Sequence, residues 1–187
     1  MESVMTDDHR TAQIALAARD RAMNLFATGQ LRCAEAVLVV INRGLRGALP
    51  DAMATRLASG FPEGLGASGC LCGAVGGAVM ALGLFLGRNS PGIGNDRRVR
   101  SAVKAFMVEF KRRYRSNCCR VLTRDLVYGS KPHYQHCGSI SGETAAMAVQ
   151  LILQFKPDLI QVVDWGYLSQ VDSGIKAGIR KLTGLLP

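Results

Sequence analysis

At 187 residues the chain is long enough to bury a core as one domain, so its six cysteines are not needed as disulfide staples. A formal net charge of +9 raises nucleic acid or an anionic membrane surface as partners, yet aromatic residues, at 6%, offer little for base stacking. Residues 1–10 carry three acids and no apolar stretch. We therefore expect no signal peptide and a reducing, cytoplasmic location, where clustered cysteines bind metals or do redox work.

Helical spacing of apolar residues dominates the chain and predicts an all-α protein, a compact multi-helix bundle around a glycine-rich buried helix. The first third is expected to hold a helix from Asp7 or Asp8 to Gly29, a second from about Cys33 to Gly44 or Gly47, a third over residues 51–58, and a glycine-rich loop over residues 59–69. Pro50 suits the first turn of the third helix.

Residues 70–87 contain no charge and come close to the minimum length of a membrane span. The run is isolated in the chain, rich in glycine, and without the tryptophan and tyrosine residues that flank membrane spans. These properties favour a buried central helix, and no transmembrane span is expected.

Basic residues follow this run in a long amphipathic helix from Asp96 to about Arg115. Beyond it we predict a short helix around Cys118 and Cys119, a loop over residues 128–139, and a helix from about Ser141 to Phe155. Residues 158–163 suit either a strand or a helix, and residues 173–182 look helical. The expected organisation is a cysteine-motif helical domain over residues 1–155 and a C-terminal extension, 156–187, packed on the same domain.

The cysteines fall into four clusters along the chain: Cys33, Cys70 with Cys72, Cys118 with Cys119, and Cys137. There is no C-x-x-C pair, which argues against thioredoxin-like chemistry and zinc knuckles, and no C-x-x-C-H haem site. Each cluster lies at a predicted helix start or in a loop before one, where the helix dipole and free amide groups favour thiolates. Thiolates at such positions suit either nucleophilic chemistry or a soft metal.

Five segments together carry a recognisable pattern. They are Cys33-Ala34-Glu35-Ala36-Val37, the loop from Gly60 to Gly69, Cys72-Gly73-Ala74-Val75-Gly76-Gly77-Ala78 with the Met80-Ala81-Leu82-Gly83 stretch after it, Cys119-Arg120-Val121-Leu122, and Cys137 before the Ser141 helix. Over about residues 10–155 the chain resembles the redox-active family named for its C…GCAxxG…C…C cysteine pattern, which is related to the C-terminal region of split-Soret cytochromes.

The resemblance implies that the family cysteines are Cys33, Cys72, Cys119 and Cys137, in a small helical protein with a redox or iron–sulfur role. The split-Soret relatives further imply a homodimer that carries an iron–sulfur cluster. This chain departs from the pattern in reading C-G-A where the family name has G-C-A, in lacking a haem attachment site, and in its C-terminal extension.

Cys70 and Cys118 are additions to the family set, and three interpretations of them stay open. They could raise the ligand count to six, Cys118 could form a disulfide with its neighbour Cys119, or both could simply pack. His136, beside Cys137, is a further candidate ligand, and His133 lies nearby, although exposed histidines are the simpler interpretation of this loop.

The leading functional hypothesis is an iron–sulfur cluster-binding redox protein, in electron transfer or chemistry at the cluster, whose metal ligands are Cys33, Cys72, Cys119 and Cys137, joined by Cys70 and Cys118. One alternative is a metal-free thiol/disulfide or sulfur-carrier protein. Another is a basic module that binds nucleic acid or a membrane surface. The basic helix also suits docking to an acidic redox partner protein, whereas nucleic acid is the less favoured partner.

Overall fold

The structure, a computed structural model, describes residues 7–92, 94 and 96–173. In chain order its helices are α1 (Asp7–Ala27), α2 (Cys33–Gly44), α3 (Asp51–Ala58), α4 (Pro62–Leu65), α5 (Gly73–Leu86), α6 (Arg97–Tyr114), α7 (Cys119–Leu122), α8 (Lys131–Phe155), the 3-10 helix η1 (Pro157–Val162) and α9 (Trp165–Leu168). No strand occurs within these residues, which confirms the predicted all-α class.

Four helices, α1, α2, α5 and α8, pack against one another and enclose the core. Their inward faces are almost entirely aliphatic, so the hydrophobic effect is the main force that holds the bundle together. Ile14 of α1, Ile41 of α2, Leu82 of α5 and Ile152 of α8 are all completely buried. The charge-free stretch is thus a buried helix, as predicted, and no helix among the described residues is long and apolar enough to cross a membrane.

The glycines of α5 let this central helix approach its neighbours closely. A Cβ on Gly77 would lie 2.5 Å from the carbonyl oxygen of Ala34 in α2, and one on Gly73 would lie 2.5 Å from Cys33 Sγ. Side chains at these positions would force the two helices apart. The glycine pattern therefore sets the distance between the helices that begin at Cys33 and just after Cys72.

Helix α6 is amphipathic, as its sequence predicts, and lies against α5 and α8. Phe106 and Phe110 are completely buried on its inner face. Its basic side chains lie largely on the exposed face, where Arg112 pairs with Glu109 at 2.7 Å and Arg113 pairs with Glu143 of α8 at 2.9 Å. Such exposed pairs contribute little stability, and the apolar face holds the helix in place.

The last long helix, α8, begins ten residues earlier than predicted, and the expected loop over residues 128–139 is largely helical. Ser130 caps it, because its hydroxyl accepts a hydrogen bond from the backbone N–H of His133 at 3.3 Å. Pro132 then occupies the first turn, where its missing N–H costs nothing. Ser141 lies inside the helix and donates to the Cys137 carbonyl at 2.8 Å, so it is not the N-cap.

Beyond α8 the described chain folds back over the bundle. Residues 158–163, which suited either strand or helix, largely form η1, and η1 contacts α1 and α8 while α9 contacts α2. Ile160 and Leu168 are buried. Arg21 of α1, itself only 3% exposed, pairs with Asp172 at 2.9 Å. Of the helix expected over residues 173–182, residues 174–182 lie outside the described part of the chain.

Candidate metal and redox site

The four cysteines assigned by resemblance line one cavity of about 50 Å³ at the end of the bundle. They arrive from four separate elements: Cys33 and Cys119 are the first residues of α2 and α7, Cys72 immediately precedes α5, and Cys137 lies in α8. Apolar side chains, among them Phe26, Leu122 and Ile140, fill much of the remaining wall. Packing of the long helices thus brings together cysteines that are far apart in the sequence.

Cys33 and Cys72 occupy the helix starts that their sequence positions predict. The backbone N–H groups of Ala34 and Glu63 point at the Cys33 sulfur, and those of Ala74 and Val75 point at Cys72. Glu35, one turn into α2, accepts a hydrogen bond from the Arg32 N–H at 2.8 Å and so caps the helix. Both sulfurs therefore have backbone donors that would stabilise a thiolate.

Cys137 is placed differently from the prediction, because it lies in the second turn of α8 and not ahead of a helix. It therefore gains nothing from the free amide groups of a helix start. Its Sγ lies 3.8 Å from Nε2 of His133, one turn earlier on the same face. The His133 ring is in turn held between the rings of Tyr128, with centroids 5.0 Å apart, and Tyr134, at 5.6 Å.

Burial dominates the protonation of the cavity thiols. Desolvation raises the pKa of Cys72 and of Cys137 to about 12 and also raises the pKa of Cys33 and of Cys119. The negative charges of neighbouring cysteines add to the shift, which reflects how close the four groups are. The thiolates expected at helix starts are thus neutral thiols at pH 7 in the metal-free protein, because desolvation outweighs the backbone donors.

Polar side chains collect where the cavity opens to the surface. Glu63 pairs with Arg32 at 3.1 Å and accepts a hydrogen bond from the Tyr128 hydroxyl, whose pKa is raised by that bond. A surface groove of about 510 Å³ adjoins the cavity and shares Glu63, Tyr128, His133 and Cys119 with it. Cys119 is therefore the cavity cysteine that also faces the groove.

Comparison with known proteins agrees with this arrangement. The model of a family described as "Putative redox-active protein (C_GCAxxG_C_C)" matches residues 31–151. The chain belongs to this redox-active family. The matched segment begins just before Cys33 and extends past Cys137, so it contains the entire cavity set. No curated protein and no solved structure matches the chain.

The two cysteines that supplement the family set lie apart from the cavity. Cys70 is exposed and Cys118 is half-buried, and neither is among the described residues that line the cavity. The Cys70 and Cys118 thiols interact with each other, which lowers the pKa of Cys118 and raises that of Cys70. Cys118 Sγ itself lies 3.1 Å from the Gly69 carbonyl oxygen, which can accept its proton.

Of the two histidines considered as ligands, His133 is the one that lines the cavity. Nε2 of His136 lies 3.0 Å from the Leu122 carbonyl oxygen and bonds to it, and His136 is not among the described lining residues. The two residues are three positions apart on α8 and lie about 60° apart around the helix axis, so the contact with Leu122, and not the helix face, distinguishes His136 from His133. His136 therefore stays a prediction as a ligand, whereas His133 already contacts a cavity cysteine.

The donors around the cavity fit an iron–sulfur group in number and in chemistry. Four cysteines are the usual complement of the common clusters, and their thiols are soft ligands. Within the described residues, however, no three His, Cys, Asp or Glu side chains already stand at metal-binding distances from a common point. Cluster binding would require the four thiols to lose their protons, because burial raises their pKa values in the metal-free protein.

Two features of the site were not anticipated from the sequence. Arg32 and Glu63, paired at the opening, look like ordinary surface charges in the sequence, and the contact between His133 and Cys137 falls in a stretch that was expected to be a loop but is helical. The recognisable signal for the second case was Ser130 followed by Pro132, a helix start that would have placed His133 and Cys137 one turn apart. The Arg32–Glu63 pair depends on the fold of the glycine-rich loop and has no local signal.

Proposed function

We propose that this protein is a redox protein whose cavity cysteines, Cys33, Cys72, Cys119 and Cys137, hold an iron–sulfur cluster. The observation that carries the proposal is that these four thiols, on four different elements, line one largely apolar cavity. A single buried cysteine commonly serves as a small hydrophobic residue. Packing alone, however, gives no reason for four cysteines to line the same cavity. Membership of the redox-active family supports the same assignment.

The surroundings of the thiols suit a redox centre. A bound cluster would supply one-electron chemistry, and the apolar wall and nearby backbone N–H groups are the features that set its potential. The N–H groups of Ala34 and Ala74 point at Cys33 and Cys72 and would offset the negative charge of the sulfurs. The absence of a side chain on Gly73 leaves room beside Cys33 Sγ.

Four protons must leave when the four thiols become ligands. His133 Nε2, 3.8 Å from Cys137 Sγ, is placed to accept the proton of that thiol, and His133 also lines the surface groove. Because the thiol pKa values are raised, metal affinity should increase with pH across the neutral range.

The test is anaerobic reconstitution with ferrous iron and sulfide, followed by optical and EPR spectra and by iron and sulfide analysis. Wild-type protein should become coloured and hold iron in a fixed ratio, and serine substitution at each cavity cysteine should remove most of it. The matched control is Cys70→Ser, two residues from Cys72 but exposed and outside the cavity, which should retain the cluster. A colourless, iron-free wild type after reconstitution would refute the proposal.

A metal-free thiol–disulfide protein is the second candidate, and one observation favours it. The four thiols are free, and no three of them are preorganised for a single metal ion among the described residues. In that case thiol trapping and mass spectrometry should find a defined reversible disulfide between two cavity cysteines. The reconstitution experiment separates the candidates, because only the first predicts iron.

The partner is proposed to be an acidic redox protein that docks on the exposed basic face of α6. Arg98, Arg100 and Lys104 are exposed there, and complementary charge would speed association. The measurement is the association rate with an acidic electron-transfer protein at increasing salt, which should fall steeply. A rate that does not depend on salt would count against this surface. The expected homodimer and cytoplasmic location stay predictions.

A further inference from the structure

Cys70 and Cys118, the two cysteines outside the cavity, are brought together by the backbone. The Cys72 N–H donates to the Asn117 carbonyl at 2.8 Å, and the Arg120 N–H donates to the Gly69 carbonyl at 2.9 Å. These two bonds run antiparallel and fix residues 69–72 alongside residues 117–120. Cys70 and Cys118 lie between the two bonds, one on each segment, and their thiols are near enough to shift each other's pKa.

This contact distinguishes Cys118 from its neighbour Cys119. The Cys119 side chain lines the cavity, whereas Cys118 Sγ is turned toward the Gly69 carbonyl oxygen at 3.1 Å. A disulfide between the adjacent residues would require the two sulfurs to turn toward each other. The backbone pairing instead places Cys118 beside Cys70, which the sequence separates from it by 48 positions (118 − 70).

The pair is also accessible to reagents in solution. Cys70 is exposed and Cys118 is half-buried, in contrast to Cys72, which is 6% exposed. The neighbouring residues Gly69 and Arg120 line the wide surface groove of about 510 Å³. A small disulfide compound can therefore reach these sulfurs without entering the cavity.

We propose that Cys70 and Cys118 form a second, surface dithiol–disulfide couple that exchanges with small disulfide compounds of the glutathione class. This couple is separate from the cavity centre and does not depend on the presence of a cluster. It lies on the two segments that carry Cys72 and Cys119, and closing it would tie those segments together covalently beside the cavity.

The exchange balances in two steps. A thiolate of the pair attacks one sulfur of the small disulfide RSSR, its S–S bond breaks, and RS⁻ leaves as a protein–SR mixed disulfide forms. The second protein sulfur, as thiolate, attacks the first protein sulfur and releases another RS⁻. The two protons lost by the protein end on the two RS⁻ groups. One RSSR is thus reduced to two RSH while Cys70 and Cys118 are oxidised to a disulfide.

The test incubates the reduced, full-length protein with glutathione buffers of increasing oxidised fraction, quenches with acid, alkylates the remaining thiols and maps peptides by mass spectrometry. The expected product is a Cys70–Cys118 crosslink, formed before any bond that involves a cavity cysteine and reversed by excess reduced glutathione. A Cys118–Cys119 bond, a cavity disulfide formed first, or the absence of any crosslink would overturn the proposal.

Single substitutions sharpen the result. In Cys70→Ser protein, Cys118 should keep one glutathione adduct per chain, because the second cysteine that would displace the glutathione is gone. In Cys118→Ser protein, Cys70 should keep one adduct for the same reason. Cys72→Ser, which abolishes the proposed cluster, should leave the crosslink unchanged. The Cys72→Ser protein could lose the crosslink while keeping a wild-type circular dichroism spectrum. That result would contradict the independence of the Cys70–Cys118 couple from the cavity, whatever the outcome of iron reconstitution.

Discussion

Gly73 and Cys33 fix the distance between α5 and α2 at the edge of the cavity. A Cβ built on Gly73 would lie 2.5 Å from Cys33 Sγ and 3.0 Å from the carbonyl oxygen of Phe61. Both are closer than ordinary van der Waals contact, and one partner is backbone, which cannot rotate away. The position of Cys33, one proposed ligand, therefore depends on residue 73 being a glycine. That glycine directly follows Cys72, which is another proposed ligand.

Substitution Gly73→Ala should disturb the site and destabilise the fold together. The added methyl must displace Cys33 or shift the 61–62 backbone, and overpacking of this kind costs about 1–3 kcal/mol of unfolding free energy. We also expect a large loss of iron in anaerobic reconstitution, because the Cys33 sulfur is moved. Urea unfolding of the metal-free protein and iron analysis of the reconstituted protein measure the two effects.

The matched control is Gly83→Ala, ten residues later in the same helix. Nothing lies within 4 Å of a Cβ on Gly83, so the methyl meets open space. Replacing glycine by alanine in a helix should then stabilise the protein by up to about 1 kcal/mol. Equal stability and equal iron content in the two variants would show that the Gly73 contact does not matter.

The raised pKa of Cys72 should make the metal-free protein lose stability at alkaline pH. Burial raises this pKa from its ordinary value of 9.0 to about 12, so above pH 9 the unfolded chain loses the proton first. The contribution of the thiol is fully present below pH 9 and declines from pH 9 towards pH 12. The slope is at most about 1.4 kcal/mol per pH unit for this one group.

Urea unfolding of reduced, metal-free protein between pH 7.5 and about pH 10.5 gives the free energy of unfolding as a function of pH. The same measurement on the Cys72→Ser variant supplies the reference curve. The comparison is needed because the pKa values of Tyr114 and Tyr167 are also raised by burial and contribute in the same direction. Subtracting the two curves leaves the Cys72 contribution. Parallel curves above pH 9 would mean that the Cys72 thiol is not desolvated in the folded protein.

His133 and His136 provide a second matched pair. His133→Ala should expose Cys137, because the ring contacts its sulfur at 3.8 Å and forms part of the wall that the cavity and the groove share. In the metal-free His133→Ala protein, we expect Cys137 to react severalfold faster than in wild type with a bulky thiol-alkylating reagent. The His136 ring bonds to the Leu122 carbonyl and is not part of that wall, so His136→Ala should leave the rate near the wild-type value. The reverse order would indicate that His136 shields the sulfur.

Apolar periodicity was sufficient to predict most of the helices. The α3 bounds match the prediction, and α2, α5 and α6 agree closely, because each presents a continuous apolar face to the core. The start of α8 was missed because its first two turns hold mostly polar and aromatic residues with two glycines nearby. Local capping by Ser130, and not periodicity, starts this helix, and Gly138 packs against Phe26 of α1.

The site was predictable only as a set of residues. The family pattern selects the cysteines that meet at the cavity, but nothing local to Cys70 or Cys118 indicates that these two residues meet. Their proximity depends on two backbone hydrogen bonds, from the Arg120 N–H to the Gly69 carbonyl and from the Cys72 N–H to the Asn117 carbonyl. Pairing between two such short segments has no periodic signal in the sequence. The protonation of the thiols likewise depends on burial, which is not visible in the sequence. For Cys72, burial raises the pKa by more than the backbone N–H groups at the helix start lower it.

The ion pair between Arg21 and Asp172 should hold the segment after α9 on the bundle. Arg21 is 3% exposed, and its Nη1 also donates to the Gln170 carbonyl at 3.1 Å. In Asp172→Ala a buried guanidinium loses its nearest carboxylate, which should cost about 3 kcal/mol of unfolding free energy. Asp20→Ala, which removes the exposed partner of Arg19 on the same helix, should cost less than about 1 kcal/mol.

Chemical unfolding of both variants measures the difference, and limited proteolysis adds a local reading. Cleavage within residues 169–173 should accelerate in Asp172→Ala and stay at the wild-type rate in Asp20→Ala, because only the first releases the segment. If both variants lost the same small amount of stability, the Arg21–Asp172 pair would behave as a solvated surface pair. The extension would then be held by Ile160 and Leu168, which are buried against the bundle.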